Sequence, residues 1–246
     1  MRNVWIIARR EYKLFFISPV AYVVAFFFML LLGIFFYINL RQAILQSTYQ
    51  PVAPSVQMII SPMVTLLIFV LPAVSMRSIA EEIRMGTMEV MFTAPIKDWE
   101  LVVGKWLGAF LFMFTLLAVT WIFPLVLNFL VKPGIDQGLF LSGYLGLLLM
   151  VASLLAIGVF ISSLFSNQIV VYFLSMIIIL ALWFISQLAS TSGGTGNQIL
   201  TYFGYVDHFL NFYQGTIDLS DVIYYLSLTS LGLFLGTMSV EMRRWR

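Results

Sequence analysis

The chain has 246 residues, of which 13 are Lys or Arg and 11 Asp or Glu; 61% are hydrophobic and 23 are Phe, and the net charge is +2. That is too little polar surface to coat a soluble globule of this size, so the composition places the chain in a bilayer. The absence of cysteine excludes disulfides and thiolate metal sites, and a single histidine excludes an imidazole cluster.

Residues 2–16, "RNVWIIARREYKLFF", put Arg2, Arg9, Arg10 and Lys13 on one arc of a helix and Trp5, Ala8, Tyr12 and Phe15 on another. This pattern predicts an amphipathic helix on the membrane surface, the alternative being a basic flank that only sets topology. Ser18-Pro19 then breaks the helix and begins the first long apolar run. A spanning helix needs about 20 mostly apolar residues. Six runs qualify, at approximately residues 19–38, 57–76, 106–131, 139–165, 168–188 and 222–240. Stretches such as "VVAFFFMLLLGIFF" are apolar on every side, which excludes the two-residue alternation of barrel strands. The predicted fold is therefore an all-α membrane protein with one transmembrane domain over residues 1–246. The first run follows basic residues as a signal peptide would, but no small-x-small cleavage site follows it, so it is expected to stay as an anchor.

Residues 39–56 are expected to form an outer loop. The next connection, 77–105, holds nine of the charged residues and is expected to be folded. A helix through "SIAEEIR" should stop at Gly86, where a left-handed residue is easily placed. Thr87 is placed to cap a second short helix, "MEVMFT", which Pro95 ends. Asp98 is placed to cap the third spanning helix, with Glu100 in its first turn. Lys105 is expected to snorkel to the headgroups, and Pro124 to kink the third span near its outer end. The short "SNQ" linker, 166–168, requires spans four and five to pack antiparallel. Residues 189–221 form a long, aromatic outer connection, and 198–213 within it are expected to make one or two short helices in the interface. Gly232 with Gly236, and Ala152 with Ala156, are small-residue pairs suited to close helix packing, without indicating the partner helix.

Six spans put both termini on one side. With the N-terminus inside, eleven Lys and Arg lie inside and two, Arg41 and Lys132, outside, which makes both termini cytoplasmic.

Catalytic chemistry is missing. His208 lies in the outer connection, and Ser153, Ser162, Ser163 and Ser175 have no base nearby in sequence. No G-x-x-x-x-G-K-[ST] pattern occurs, so ATP is not bound by that route. No Asp, Glu, His, Lys or Arg falls within the six runs, whereas gradient-driven transporters usually place such groups there. A carbonyl-built Na⁺ site remains open, with Asn128 and Gln187 the most polar groups within or near the runs. If this chain moves anything uphill, the energy should come from another chain. The polar segment is where such a partner would push. Glu81, Glu82, Arg84 and Glu89 offer charged contacts, and Met85, Met88, Val90, Met91 and Phe92 apolar ones. A loop resting on lipid headgroups is the alternative, although five acidic against four basic residues in 77–105 fit anionic lipid poorly.

At "RSIAEEIRMGTMEVMFTAPIKDWELVVGK" the chain resembles the ABC-2 type permeases, membrane subunits of ATP-binding-cassette exporters. The pattern lies in Arg77, Glu81 or Glu82, Arg84, Gly86-Thr87, Glu89, Pro95 and Gly104-Lys105. "FFISPVAYVV", residues 15–24, and "DHFLNFYQGTIDLSDVIYYLSL", residues 207–228, are similar to the gliding-motility-associated and copper-processing permease branch.

The resemblance implies a multi-pass protein of a bacterial cytoplasmic membrane. It implies a permease dimer above two copies of a cytoplasmic ATPase, which carry ATP and Mg while this chain carries no cofactor, no metal and no catalytic residue. It makes the segment around Glu81, Glu82, Arg84, Gly86, Thr87, Met88, Glu89, Met91, Phe92 and Pro95 a coupling helix docked on that ATPase. It also implies re-entrant elements at about 190–220, where Tyr202, Phe203, Tyr205, Phe209, Phe212 and Tyr213 suit an outer gate or, equally, interfacial anchors. Two functions stay open: an exporter permease, or an ATPase-driven force-transmitting or scaffold subunit acting on a periplasmic partner without transport. An ATP-independent facilitator is a weaker third. Nothing in the chain points to nucleic acid.

Overall fold

A computed structural model describes residues 2–47, 54–93, 96–132, 134–191 and 204–244. Among these the elements are α1 (Arg2–Ile17), α2 (Pro19–Ser47), α3 (Gln57–Ser75), α4 (Ala80–Met85), α5 (Thr87–Thr93), α6 (Asp98–Val119), α7 (Ile122–Leu130), α8 (Gln137–Leu164), α9 (Gln168–Thr191), α10 (Tyr205–Tyr213) and α11 (Leu219–Arg244), all helical. Six stretches are long and apolar enough to cross a membrane, and they coincide with the six apolar runs.

Burial separates centre from flank. The apolar windows of α8 and α3 are 72% and 67% buried inside the chain, whereas those of α2 and α9 are 17% buried. Thus α8 is the axis of the bundle, and α2 and α9 turn most of their apolar surface outward. One member of each small-residue pair meets the other: a Cβ added at Gly232 on α11 would lie 2.9 Å from the carbonyl carbon of Ala156 on α8, whereas Gly236 faces Val102 and Phe160. Lipid offers no hydrophobic drive between spanning helices, so close backbone approach supplies van der Waals contact instead.

Several boundaries differ from the sequence expectation. α2 runs to Ser47, well into the expected loop, and Asn39 Nδ2 donates to the Met58 carbonyl at 3.0 Å, tying its end to α3. The third span starts at Asp98 rather than near 106, because its first turns are covered by protein and so tolerate charge. It breaks at Thr120–Trp121. Proline lacks an N–H and its ring crowds the carbonyl four residues back, and for Pro124 that residue is Thr120. The Thr120 hydroxyl is held there by the Leu117 carbonyl at 2.7 Å and the Tyr144 hydroxyl at 3.0 Å.

Candidate functional site

The polar segment folds into a junction at one end of the bundle, where α1, α4, α5, the start of α6 and the ends of α8 and α11 meet. α1 crosses directly over α6. A Cβ at Gly104 would lie 2.8 Å from Ile7 Cβ, and one at Gly108 would lie 2.5 Å from Glu11 Cβ and 3.0 Å from the Ala8 carbonyl oxygen. The absence of side chains at these two positions lets the amphipathic helix lie against the spanning helix.

That crossing brings four charges together. Lys105 Nζ lies 2.7 Å from Glu82 Oε1 and 3.2 Å from Glu11 Oε1, and its side chain is 2% exposed. Arg10 Nη2 approaches Glu11 Oε1 at 2.9 Å and Glu82 Oε1 at 3.4 Å. Two cations face two carboxylates, which is the condition for keeping a lysine out of water. Lys105 therefore does not snorkel to the headgroups: carboxylates from α1 and α4 reach it first.

Hydrogen bonds fix the segment on its other sides. The Ser162 hydroxyl on α8 accepts from the backbone N–H groups of Ile79 and Ala80, both at 3.0 Å, satisfying donors at the start of α4. Gly86, at φ +69°, closes α4 in the left-handed conformation. The Thr87 hydroxyl turns back to the Glu82 carbonyl at 3.4 Å, so it serves the end of α4 rather than capping α5. Nor does Asp98 cap α6. Glu100 Oε2 accepts from the Lys97 backbone N–H at 3.2 Å and from Asn3 Nδ2 at 3.0 Å, while Asp98 pairs with Arg244 at 3.2 Å. At the end of α8, Arg243 donates to the carbonyls of Ser163 at 3.0 Å and Leu164 at 2.7 Å.

The ten residues expected to meet a partner are therefore divided. Arg84, Gly86, Thr87 and Glu89 are exposed, as is their neighbour Met85 at 57%. Glu82 faces Lys105, and Glu81 is half-buried beside a cleft. Met88 is buried with Ile7, Ile79, Leu101 and Val102, and Met91 packs against this cluster. The side chains of Val90 and Phe92, and Pro95 entirely, lie outside the described residues.

At the opposite end α10 is packed inward. Tyr205, Phe209 and Phe212 are buried and Tyr213 is half-buried; Tyr202 and Phe203 lie outside the described residues. The Tyr205 hydroxyl meets Ser153 Oγ at 2.9 Å and donates to the Met150 carbonyl at 3.0 Å, and its own carbonyl accepts from Tyr225 at 2.9 Å. Burial pushes the Tyr205 phenol well above its usual range, so it acts only as a neutral hydrogen-bonding group. His208 Nδ1 lies 2.6 Å from Asp221 Oδ1, and Asn211 Nδ2 donates to Asp221 Oδ2 at 2.9 Å. The His208 ring stacks on Tyr224 with centroids 4.0 Å apart. The sequence offered one hint of this latch, an aspartate thirteen residues beyond the sole histidine, but helical periodicity does not connect positions across a turn. Among the described residues no group of three or more His, Cys, Asp and Glu is arranged to hold a metal ion.

A family model described as "ABC-2 family transporter protein" matches residues 38–241. The chain belongs to the ABC-2 transporter family. Its permease is the membrane subunit of an ABC transporter, a kind that works with a separate ABC ATPase, and is generally not itself catalytic. The ABC-2 match begins within α2, so α1 lies outside the matched stretch, whereas α6, on which it packs, lies within it. It identifies the family and no branch within it. No curated protein matches the sequence.

Proposed function

We propose that this ABC-2 permease is the transmembrane subunit of an exporter in a bacterial cytoplasmic membrane, with both termini cytoplasmic and α4–α5 acting as the coupling element. The observation that carries this reading is the Lys105–Glu82–Glu11 junction. A push on α4 is delivered through ion pairs to the surface helix α1 and to the base of the spanning helix α6. Two ATPase copies, carrying ATP and Mg, would dock below a permease dimer. The exposed residues Arg84, Met85, Thr87 and Glu89 form the docking face, and Glu82 is an internal transmission residue. At the other end, α10 and its aromatics form the outer gate, held shut by the bonds to α8 and α11.

The test is co-purification with an ABC ATPase from the same organism. Arg84→Glu combined with Glu89→Lys should abolish binding while the permease stays folded; full binding by this variant removes the docking assignment. A second reading is favoured by one feature of the same end as α10: Ile217 and Leu219 are exposed at the turn into α11, at 56% and 73%. Such apolar residues suit a periplasmic partner that receives force without transport. Vesicle uptake of candidate lipids and drugs, set against crosslinking from residues 216–219 to periplasmic proteins, separates the two.

A further inference from the structure

α3 ends at Ser75 and α4 begins at Ala80, so the chain makes an elbow where the second span gives way to the polar segment. A new helix start leaves its first N–H groups without intrahelical acceptors. Ile79 and Ala80 are both 0% exposed, which keeps water from serving theirs. The acceptor is a single hydroxyl, Ser162 Oγ of α8, 3.0 Å from each of the two nitrogens.

The other serines of α8 behave differently. Ser142, Ser153 and Ser163 each donate to the carbonyl three residues back, at 3.2, 2.9 and 2.6 Å, the usual resort of a hydroxyl in an apolar helix. Ser162 instead turns its own proton toward the Met76 carbonyl, a long contact of 3.5 Å within the same elbow. Its donor and its acceptor capacity both go to the chain between α3 and α4.

One turn earlier on α8, Gly158 lies beneath the end of α3. A Cβ there would come within 2.6 Å of Ser75 Cβ, so the approach depends on a missing side chain. Ile79 shares a buried cluster with Val159 of α8 and Val240 of α11, and Ala80 one with Ile161 of α8 and Val171 of α9. The elbow is thus seated on α8, the most buried span. Glu82 reaches α6 through the end of the long, flexible Lys105 stem. Ser162, by contrast, grips main-chain N–H groups with a hydroxyl one bond from its own Cβ. That link is short and stiff.

We propose that Ser162 is a positioning residue for coupling: it holds the α3–α4 elbow on α8, so that a displacement of α4 reaches the axis of the bundle directly. This rests on the reading of α4–α5 as the coupling element and adds a route into α8 beside the ion-paired route into α6. Ser162 is itself 0% exposed, so it acts through the main chain of Ile79 and Ala80 and not by touching a docked ATPase.

The full-length chain would be reconstituted in liposomes and titrated with the ABC ATPase that co-purifies with it, with ATP hydrolysis as the readout. Ser162→Ala should lower maximal stimulation about fivefold, the scale of one net hydrogen bond, and leave unchanged the ATPase concentration giving half-maximal stimulation. Amide exchange across residues 76–85 should rise in the same variant. Ser163→Ala, which removes a bond internal to α8, should match the parent in all three measurements. Ser162→Cys fills the site with a weak acceptor and repeats the test if Ser162→Ala does not fold. Full maximal stimulation by the Ser162 variant overturns the proposal. So does a shift in half-maximal concentration alone, or an equal loss in Ser163→Ala. A parent chain that leaves hydrolysis unchanged removes the coupling reading of α4–α5 and the role of Ser162 with it, whereas a responsive parent with an equally responsive Ser162→Ala removes only the latter.

Discussion

Lys105 Nζ sits 2.7 Å from Glu82 Oε1, joining the base of a spanning helix to the short helix α4. Because Glu11 shares the same ammonium at 3.2 Å, the amphipathic helix α1 belongs to the same unit. The three elements should move together or not at all.

Replacing Lys105 with Met should cost about 3 kcal/mol of stability, since it leaves the half-exposed Arg10 as the one cation facing two inward carboxylates. Lys105→Met combined with Glu82→Gln should recover part of that loss. Thermal unfolding in detergent measures both. The double variant, though folded, should show weakened stimulation of the partner ATPase by the permease; full stimulation would separate the ion pair from coupling.

Gly108→Leu should lift α1 from α6, because no side chain fits beneath Glu11 and Ala8. Overpacking of this kind costs about 1–3 kcal/mol. Faster protease cleavage within residues 2–17, with the spans intact, is the expected signature. A variant as resistant as the parent would show that α1 is not held by this contact.

On α11, Gly232→Val should prevent the approach to Ala156. The clash is with backbone, which has little room to yield, so a loss of about 2–3 kcal/mol is expected. Ala156→Gly should restore some stability to this variant by removing one of the opposed methyl groups. A neutral effect of Gly232→Val alone would disprove the α8–α11 packing.

At the end of the bundle opposite the junction, Asp221→Leu removes the acceptor shared by His208 and Asn211. Loss of these bonds should reduce stability by about 1–3 kcal/mol and raise amide hydrogen exchange across 205–213. Asp221→Asn keeps an acceptor oxygen and should be milder. Exchange unchanged in Asp221→Leu would mean that α10 is held without the Asp221 bonds, by those of Tyr205, Tyr225, Ser142 and Gln57.

Much of this was legible from residue order. The six runs became six candidate spans, α1 spans 2–17 where the arc pattern placed a helix, and Gly86 ends α4 with positive φ. Legibility failed where a side chain's role depends on what lies opposite. Lys105, Glu82 and Met88 read as outward-facing because nothing adjacent in sequence competes for them; Glu11, 94 positions before Lys105, and Arg10, 72 positions before Glu82, supply the charges they meet, and Ile7 is part of the cluster that buries Met88. The family pattern at 77–105 was visible, but which of its charges point outward was not. Likewise, Asp98 looked like a cap until Arg244, from the far end of the chain, claimed it.

Hydropathy sums along a single run, and a run of about 20 apolar residues has few alternatives to crossing a bilayer as a helix, so residue order alone determined the membrane setting, the number of spans and the polar segment between the second and third. Tertiary structure alone decided that α8 is the axis, that α1 clamps α6, and that the charged segment keeps some residues for its own junction. Those outcomes depend on close approach between distant segments, where one missing side chain or one opposed charge chooses among packings that are equally apolar in sequence.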